Sequence, residues 1–375
     1  MQSVRPVRAW DGSVAETDGE TAISWISRTA ASALTLAFVF LCGLPSPLDA
    51  FEWFPSNEET QKYRQSWNPL THGPILVTIA DTLPKGQLYI RPFIYSQISE
   101  HQYGNQLAFA SERRSGGAHL YSVQHPFLQA GYGLADHIQL GAATSISSFW
   151  AKDSDAFNRG EGGPWTTNTG LGDTSIYFKY RPIIQDPETW RPTMTFHTQL
   201  GLPTGKWFTA TKKPPGGFAP VGRLPSTQFG SLALTEGIVL RKNLEPFRIN
   251  AGVYYTYHPP GSEGNQNTYV GDVINTRLIF EHILDEKRGL GYNLEFVGLH
   301  SLPGRVDGHS INRGPHSGST ILGVEPAIQW RFGGSNFVGA AGVLFTVAGQ
   351  NTLDSIFPNF SVFWYWSETG KVLMR

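Results

Sequence analysis

The chain has one cysteine, Cys42, in 375 residues. With no partner thiol, it excludes a disulfide framework. Charge is scarce as well: Asp, Glu, Lys and Arg make up 16%, against roughly a quarter in ordinary globular proteins. The two signs cancel to a net charge of -1, so nothing in the balance calls for nucleic acid as a partner. A long apolar run is missing too. The one that stands out, Ala30 to Leu44, is short of the roughly 20 residues a spanning helix needs. His119, His125 and His137 show no compact metal-binding spacing. No phosphate-cradling loop with its lysine is present, since Gly170 to Gly172 reads as a strand-entry turn. No metal, cofactor or catalytic residue is therefore expected.

What the chain has in plenty is glycine, 41 residues, and aromatics at 13%, with a mean hydropathy of -0.23. It also has alternation. From Asp173 to Arg181, Thr174, Ile176, Phe178 and Tyr180 share one face, while Asp173, Ser175, Lys179 and Arg181 share the other. A two-residue period is a strand signal. Thr193 to Leu202 and Phe247 to Tyr257 repeat it. About twelve such segments follow one another between Gly86 and Trp366, each of roughly 10 residues, the length of a tilted strand crossing a bilayer.

The connections between them are sorted. Gly133-Leu134-Ala135-Asp136 and Gly333-Gly334-Ser335-Asn336 are turn-like, whereas Ile98 to Ala118, Phe149 to Leu171 and Pro203 to Gln228 are long and rich in Gly, Pro and charge. Short turns on one rim and long loops on the other are the habit of bacterial barrels. Aromatics also gather near strand ends: Phe149 and Trp150, Tyr254, Tyr255 and Tyr257, Trp330 and Phe332, then Phe360, Phe363, Trp364, Tyr365 and Trp366. Amphipathic rings favour a membrane interface. The expected fold is all-β: a transmembrane antiparallel up-and-down β-barrel of about 12 strands, with short periplasmic turns and long extracellular loops.

Residues 1–50 are expected to be a signal peptide with an extended n-region, cut after Ala50. The large Leu41 before Cys42, and the apolar continuation after it, disfavour lipidation. Residues 51–85 then form an N-terminal periplasmic or plug-like segment, 86–366 the barrel and 367–375 a C-terminal tail. Local misfits are also legible. Glu236 shares a face with Leu232, Leu234, Ile238 and Leu240, which predicts a bulge near Gly237, and Pro92, Pro126 and Pro326 each predict another.

Several phrases together resemble a family of Gram-negative outer-membrane proteins, the transporter-like barrels of the phenol-degradation meta-pathway family. They are Asp81-Thr82-Leu83-Pro84-Lys85-Gly86, Gly133-Leu134-Ala135-Asp136-His137, Gly170-Leu171-Gly172-Asp173-Thr174, Leu202-Pro203-Thr204-Gly205-Lys206 and Gly323-Val324-Glu325-Pro326-Ala327-Ile328. The resemblance implies an outer-membrane barrel that admits small hydrophobic or aromatic molecules. The last aromatic strand, Ser361 to Trp366, is similar to the segment by which barrel-assembly machinery recognises its clients.

The lumen-lining residues expected from the alternation are Arg91, Tyr95, Asp173, Lys179, Arg181, His197, Gln199, Arg248, Asn250, Arg277, Glu281, Glu295, Glu325, Gln329 and Arg331. Tyr89 and Phe93 join Tyr95 as lumen aromatics. Charges of both signs predict a lumen narrowed by pairs, unlike the one-signed constriction of an ion-selective porin. The leading expectation is a channel for passive uptake of a small, hydrophobic or aromatic solute, in contact with outer-membrane lipid. A plugged barrel serving as a surface platform is the alternative. A barrel-type esterase using His309, Ser310, His316 and Ser317 is disfavoured, because adjacent strand residues point to opposite faces.

Overall fold

A computed structural model describes residues 54–76, 79–113, 119–152, 165–205, 231–263, 266–310, 318–333 and 335–367. The expected signal peptide with Cys42, the tail beyond Ser367, and His316 with Ser317 lie outside the described residues.

The main sheet has 14 strands. Two, Glu112–Arg113 and Trp165–Leu171, are short pieces beside the long loops, which leaves twelve in the wall. These are β1 (Gln87–Gln102), β2 (His119–Ala135), β3 (Ile138–Lys152), β4 (Thr174–Ile183), β5 (Thr193–Leu202) and β6 (Ala233–Leu244). The second half is β7 (Phe247–Tyr257), β8 (Val273–Asp285), β9 (Leu290–Ser301), β10 (Ser319–Arg331), β11 (Phe337–Gln350) and β12 (Leu353–Ser367). Each strand pairs antiparallel with its neighbours in sequence, and β12 returns to β1, from Gln87 opposite Ser367 to Gln102 opposite Leu353. The sheet therefore has no free edge, which removes the unpaired backbone groups that a bilayer would not solvate.

The alternation maps onto two faces, inverted relative to a soluble protein. On β4, Tyr177, Lys179 and Arg181 are buried inside, while Ile176 and Phe178 point outward. On β7, Arg248, Asn250 and Tyr254 are inside and Phe247 and Val253 outside, Val253 with 56% of its surface uncovered. Leaving a side chain of this kind in water forgoes about 1.5–3 kcal/mol. Repeated around the wall, that cost is avoided only if lipid covers the belt.

Five connections, 136–137, 184–192, 245–246, 286–289 and 332–336, lie on one rim. The strand ends that flank the long ones, Gln102 and His119, Lys152 and Thr174, Leu202 and Ala233, Tyr257 and Val273, and Ser301 and Ser319, lie on the other. One connection departs from the sorting: β11 and β12 are joined by Asn351-Thr352 on the long-loop rim, with Asn351 at φ 48°. Asn tolerates that left-handed conformation better than most residues. The loops 258–272 and 302–318 pair with each other in a four-stranded sheet that includes His309–Ser310.

Several expectations need correction. The ladders on both sides of Gly237 run without a shift, so Glu236 does face outward, where Thr198 donates to its carboxylate at 2.7 Å. Of the three prolines, only Pro126 sits in a register shift, between Gln124 and Phe127. The ladders at Pro92 and Pro326 keep their register, and both side chains are exposed. Tyr254, Phe363 and Tyr365 point inward rather than to a rim, since each is buried next to an outward neighbour, Val253, Trp364 and Trp366 respectively.

The barrel interior as candidate functional site

The segment before β1 enters the barrel. Its helix, α1 (Asn57–Gln65), begins at a capping box in which the Ser56 hydroxyl accepts from the Glu59 N–H and Glu59 accepts from the Ser56 N–H. The Ser56 N–H holds Glu59 below the usual carboxylate range. The helix rests on the short-turn rim. Arg64 meets Asp136 at 2.8 Å, Lys62 meets Asp186 and Glu188 at 3.2 Å, and Arg191 meets Glu59 at 2.7 Å. Beneath it, burial and the nearby Arg181 push the imidazole of His137 down to about 4.

Past α1 the chain runs inward along one half of the wall. Thr71 donates to Glu281 of β8 at 2.8 Å, and the Arg248 Nε of β7 lies 3.0 Å from the same carboxylate. The Gly73 N–H donates to Gln329 of β10 at 3.0 Å, and its carbonyl accepts from Asn293 of β9 at 2.8 Å. The Ile75 N–H donates to Glu295 of β9 at 2.5 Å, its carbonyl accepts from Arg91 of β1, and His72 reaches Ser361 of β12. The return leg uses the other half of the wall. Thr195 of β5 donates to the Ala80 carbonyl, Lys179 of β4 to the Asp81 carbonyl, and the Leu83 N–H donates to Gln139 of β3 at 3.0 Å. Asp81 pairs with Arg181 at 3.2 Å and with Arg241 of β6. The two legs thus touch both halves of the wall and cross the interior.

Against this segment lies a cavity of about 390 Å³. Its floor is Pro74, Ile75, Leu76 and Ile79; its wall carries Tyr89, Phe93, Tyr95, Tyr177, Phe357 and Tyr365, with Arg91, Lys179 and Arg277. Tyr95 stacks on Phe357 at 5.4 Å between ring centroids, and the Arg91 guanidinium lies 4.7 Å from the Phe93 ring and 4.8 Å from Phe363.

Of the residues expected inside, Arg91, Lys179, Arg181, His197, Arg248, Asn250, Glu281, Glu295, Glu325 and Gln329 are buried within the barrel. Tyr95, Gln199 and Arg277 line the cavity. Two are misplaced. Asp173 lies just before β4 at the long-loop rim, its carboxylate accepting from the Gly205 N–H at 2.9 Å. Arg331 ends β10 at the short-turn rim and donates to the Ser335 carbonyl at 2.7 Å. At Asp173 the alternation runs past the strand end, and at Arg331 it runs to the last pair of the ladder, opposite Val338. The reading of single strands also passed over Asn293, Tyr177, Arg241 and the contacts of the segment 71–83. Glu295 and Glu325 are direct cross-strand partners, with Glu325 accepting from Asn359 at 2.6 Å. Among the described residues no group of three His, Cys, Asp or Glu is placed to hold a metal ion. His309 and Ser310 are neighbours on the short loop sheet, with His309 exposed.

No protein-family model matches the chain, and no curated protein matches it by sequence. Solved structures do resemble it in fold. A crystal structure of an outer membrane channel from Pseudomonas putida F1 superposes with a TM-score of 0.57 at 12% identity, covering 78% of this chain and all of that one. The monoaromatic hydrocarbon channel TodX, in a deletion mutant, gives 0.38 at 9% identity, covering 76% of this chain and 91% of that one. The toluene transporter TbuX of Ralstonia pickettii gives 0.35 at 9% identity, over 76% and 92%. The first of these supports the closed barrel of outer-membrane type.

Proposed function

We propose that the protein is an outer-membrane channel that passes small hydrophobic or aromatic molecules by diffusion, with residues 54–83 as the element that restricts the path. The observation that carries this reading is the cavity of about 390 Å³ inside the barrel, walled mainly by aromatic and aliphatic side chains, with three cations among them. An apolar cavity of about 150 Å³ already holds benzene, so a single-ring solute has room. The outward apolar belt supports residence in a bilayer, and the sorted connections support an orientation with the long loops outside the cell and the short turns in the periplasm. The outward Phe360, Trp364 and Trp366 of β12 suit recognition by barrel-assembly machinery. A solute reaching the cavity from the long-loop rim must still pass the segment Thr71 to Leu83. How firmly that segment is seated therefore sets permeability.

The bonding of the segment to both halves of the wall also favours a second reading, a permanently plugged barrel that presents its long loops as a surface platform. Proteoliposomes carrying the native protein, or a variant lacking residues 54–83, separate the two. The channel reading expects toluene influx with the native protein and faster influx, with higher conductance, after deletion. Folded native protein that passes nothing would leave the plugged barrel.

A further inference from the structure

The cavity carries charge of one sign. Arg91, Lys179 and Arg277 line it, and no aspartate or glutamate does. Two of the three cations are engaged by the protein itself. Arg91 donates to Ser361 at 3.1 Å and to the Ile75 carbonyl, and Lys179 donates to the Asp81 carbonyl. Arg277 is different: its Nε and Nη1 are buried and have no hydrogen-bond partner. A guanidinium keeps its charge and presents donors in a fixed fork that matches a carboxylate. Burying such a group without a hydrogen-bond acceptor is costly, and a ligand carboxylate drawn to the guanidinium from the cavity offsets part of that cost.

The surroundings of Arg277 define the rest of the ligand. Arg277 lies directly across the ladder from Val297. Val297 forms an apolar cluster with Leu344 and Phe357, against which Leu76 and Tyr95 pack. Tyr95 and Phe357 stack at 18° between their planes, giving a flat aromatic wall. Glu295 and Glu325 act on Arg277 through space; one oxygen of each is engaged, by the Ile75 N–H and by Asn359, the other has no hydrogen-bond partner, and neither carboxylate lines the cavity. A guanidinium thus stands beside a ring-sized apolar wall.

The geometry points to a binding site for a small aromatic carboxylate, with its ring against Tyr95 and Phe357 and its carboxylate on Arg277. The inference rests on the channel reading and narrows its solute. A neutral hydrocarbon would fill the same wall but offer the guanidinium no hydrogen-bond acceptor, whereas an aliphatic acid would lose the stacking. Because Leu76 belongs to the restricting segment and packs on the same cluster, a bound ring would touch the element that closes the path.

Calorimetry on the full chain in detergent tests this with sodium benzoate and benzyl alcohol, which share a ring and differ in charge. Benzoate is expected to bind at least about tenfold more tightly, the scale of a hydrogen bond to a charged group. Arg277→Gln should erase the preference and Arg277→Lys should keep part of it, with folding checked by heat-modifiable gel mobility. Equal affinity of the native protein for the two ligands would overturn the inference, and that comparison stands even if Arg277→Gln fails to fold. So would a benzoate affinity unchanged in folded Arg277→Gln. A parallel influx assay keeps the two levels apart. Toluene influx without a benzoate preference removes the aromatic acid and leaves the channel, while influx of neither removes the channel itself.

Discussion

Asp81 lies 3.2 Å from the Arg181 guanidinium of β4, and the same carboxylate pairs with Arg241 of β6. Tyr63 of α1 donates to it at 2.7 Å, so one side chain ties the helix, the return leg and two wall strands together. Asp81→Asn would leave two buried guanidinium groups short of a counter-charge, a loss of roughly 3–5 kcal/mol for breaking a buried pair from one side. The loss should fall on the seating of the segment, because the wall keeps its backbone ladder. Hydrogen exchange read by mass spectrometry should show residues 54–83 losing protection while β4 and β6 keep theirs. Unchanged protection of the segment would refute the anchor.

Gly73 supplies a second anchor through its backbone. Its φ is +72°, and a Cβ there would lie 2.8 Å from Ile79 Cγ2. A left-handed conformation costs an L-residue about 1–2 kcal/mol before any clash. Gly73→Val should therefore loosen the inner turn and raise single-channel conductance in planar bilayers. Gly86, at φ +77° with open space where its Cβ would be, is the control. Gly86→Ala pays only the backbone cost and should leave conductance near the native value. Equal conductance in the native protein and Gly73→Val would show that this turn does not restrict the path.

The wall was legible in the sequence because each strand carries its own code. Lys179 and Arg181 fall two residues apart and land on one face, and β7 repeats the pattern from Arg248 to Tyr254. The limits of each strand were less legible. Alternation continues into Asp173 and Arg331, where the ladder stops, and the turn at Asn351 hides between segments that both look apolar. The segment from Pro69 to Leu83 was the least legible of all. Its partners, Glu281, Asn293, Gln329 and Thr195, lie on strands far apart in sequence, so no local period could reveal them.

Acid should loosen the helix from the rim. His137 faces α1, with Nε2 3.5 Å from the Thr60 hydroxyl and its ring 6.5 Å from that of Phe54. Its imidazole, pushed down to about 4, stays neutral while docked, whereas an exposed histidine takes a proton near 6.5. The undocked state therefore binds the extra proton between those values. Docking is at full strength above about pH 6.5 and weakens as pH falls towards 4, by up to about 1.4 kcal/mol per unit. Glu59, held low by the Ser56 N–H, withdraws its contribution only below the ordinary glutamate value of about 4.3, so the two windows separate. Exchange of residues 57–65, taken relative to the intrinsic rate at each pH, should rise between pH 7.5 and 5. In His137→Gln the rise should disappear, and its persistence there would assign the effect to another group.

The outward face gives the sharpest test of where the barrel resides. Ile238 lies mid-strand on β6, 38% exposed, between Phe196 of β5 and Val253 of β7. If lipid covers this face, Ile238→Arg should cost about 2–4 kcal/mol, the range for a cation at the bilayer midplane. Glu236 points the same way but lies three residues from the long-loop end of β6, and its carboxylate is held by Thr198. Glu236→Arg should then cost only about 0–1 kcal/mol, as near an interface. Urea unfolding of both variants in lipid vesicles measures the difference. A barrel whose outer face met water would tolerate both substitutions alike, because an arginine exposed to water loses no solvation. Equal stabilities would therefore take the outer face out of the bilayer.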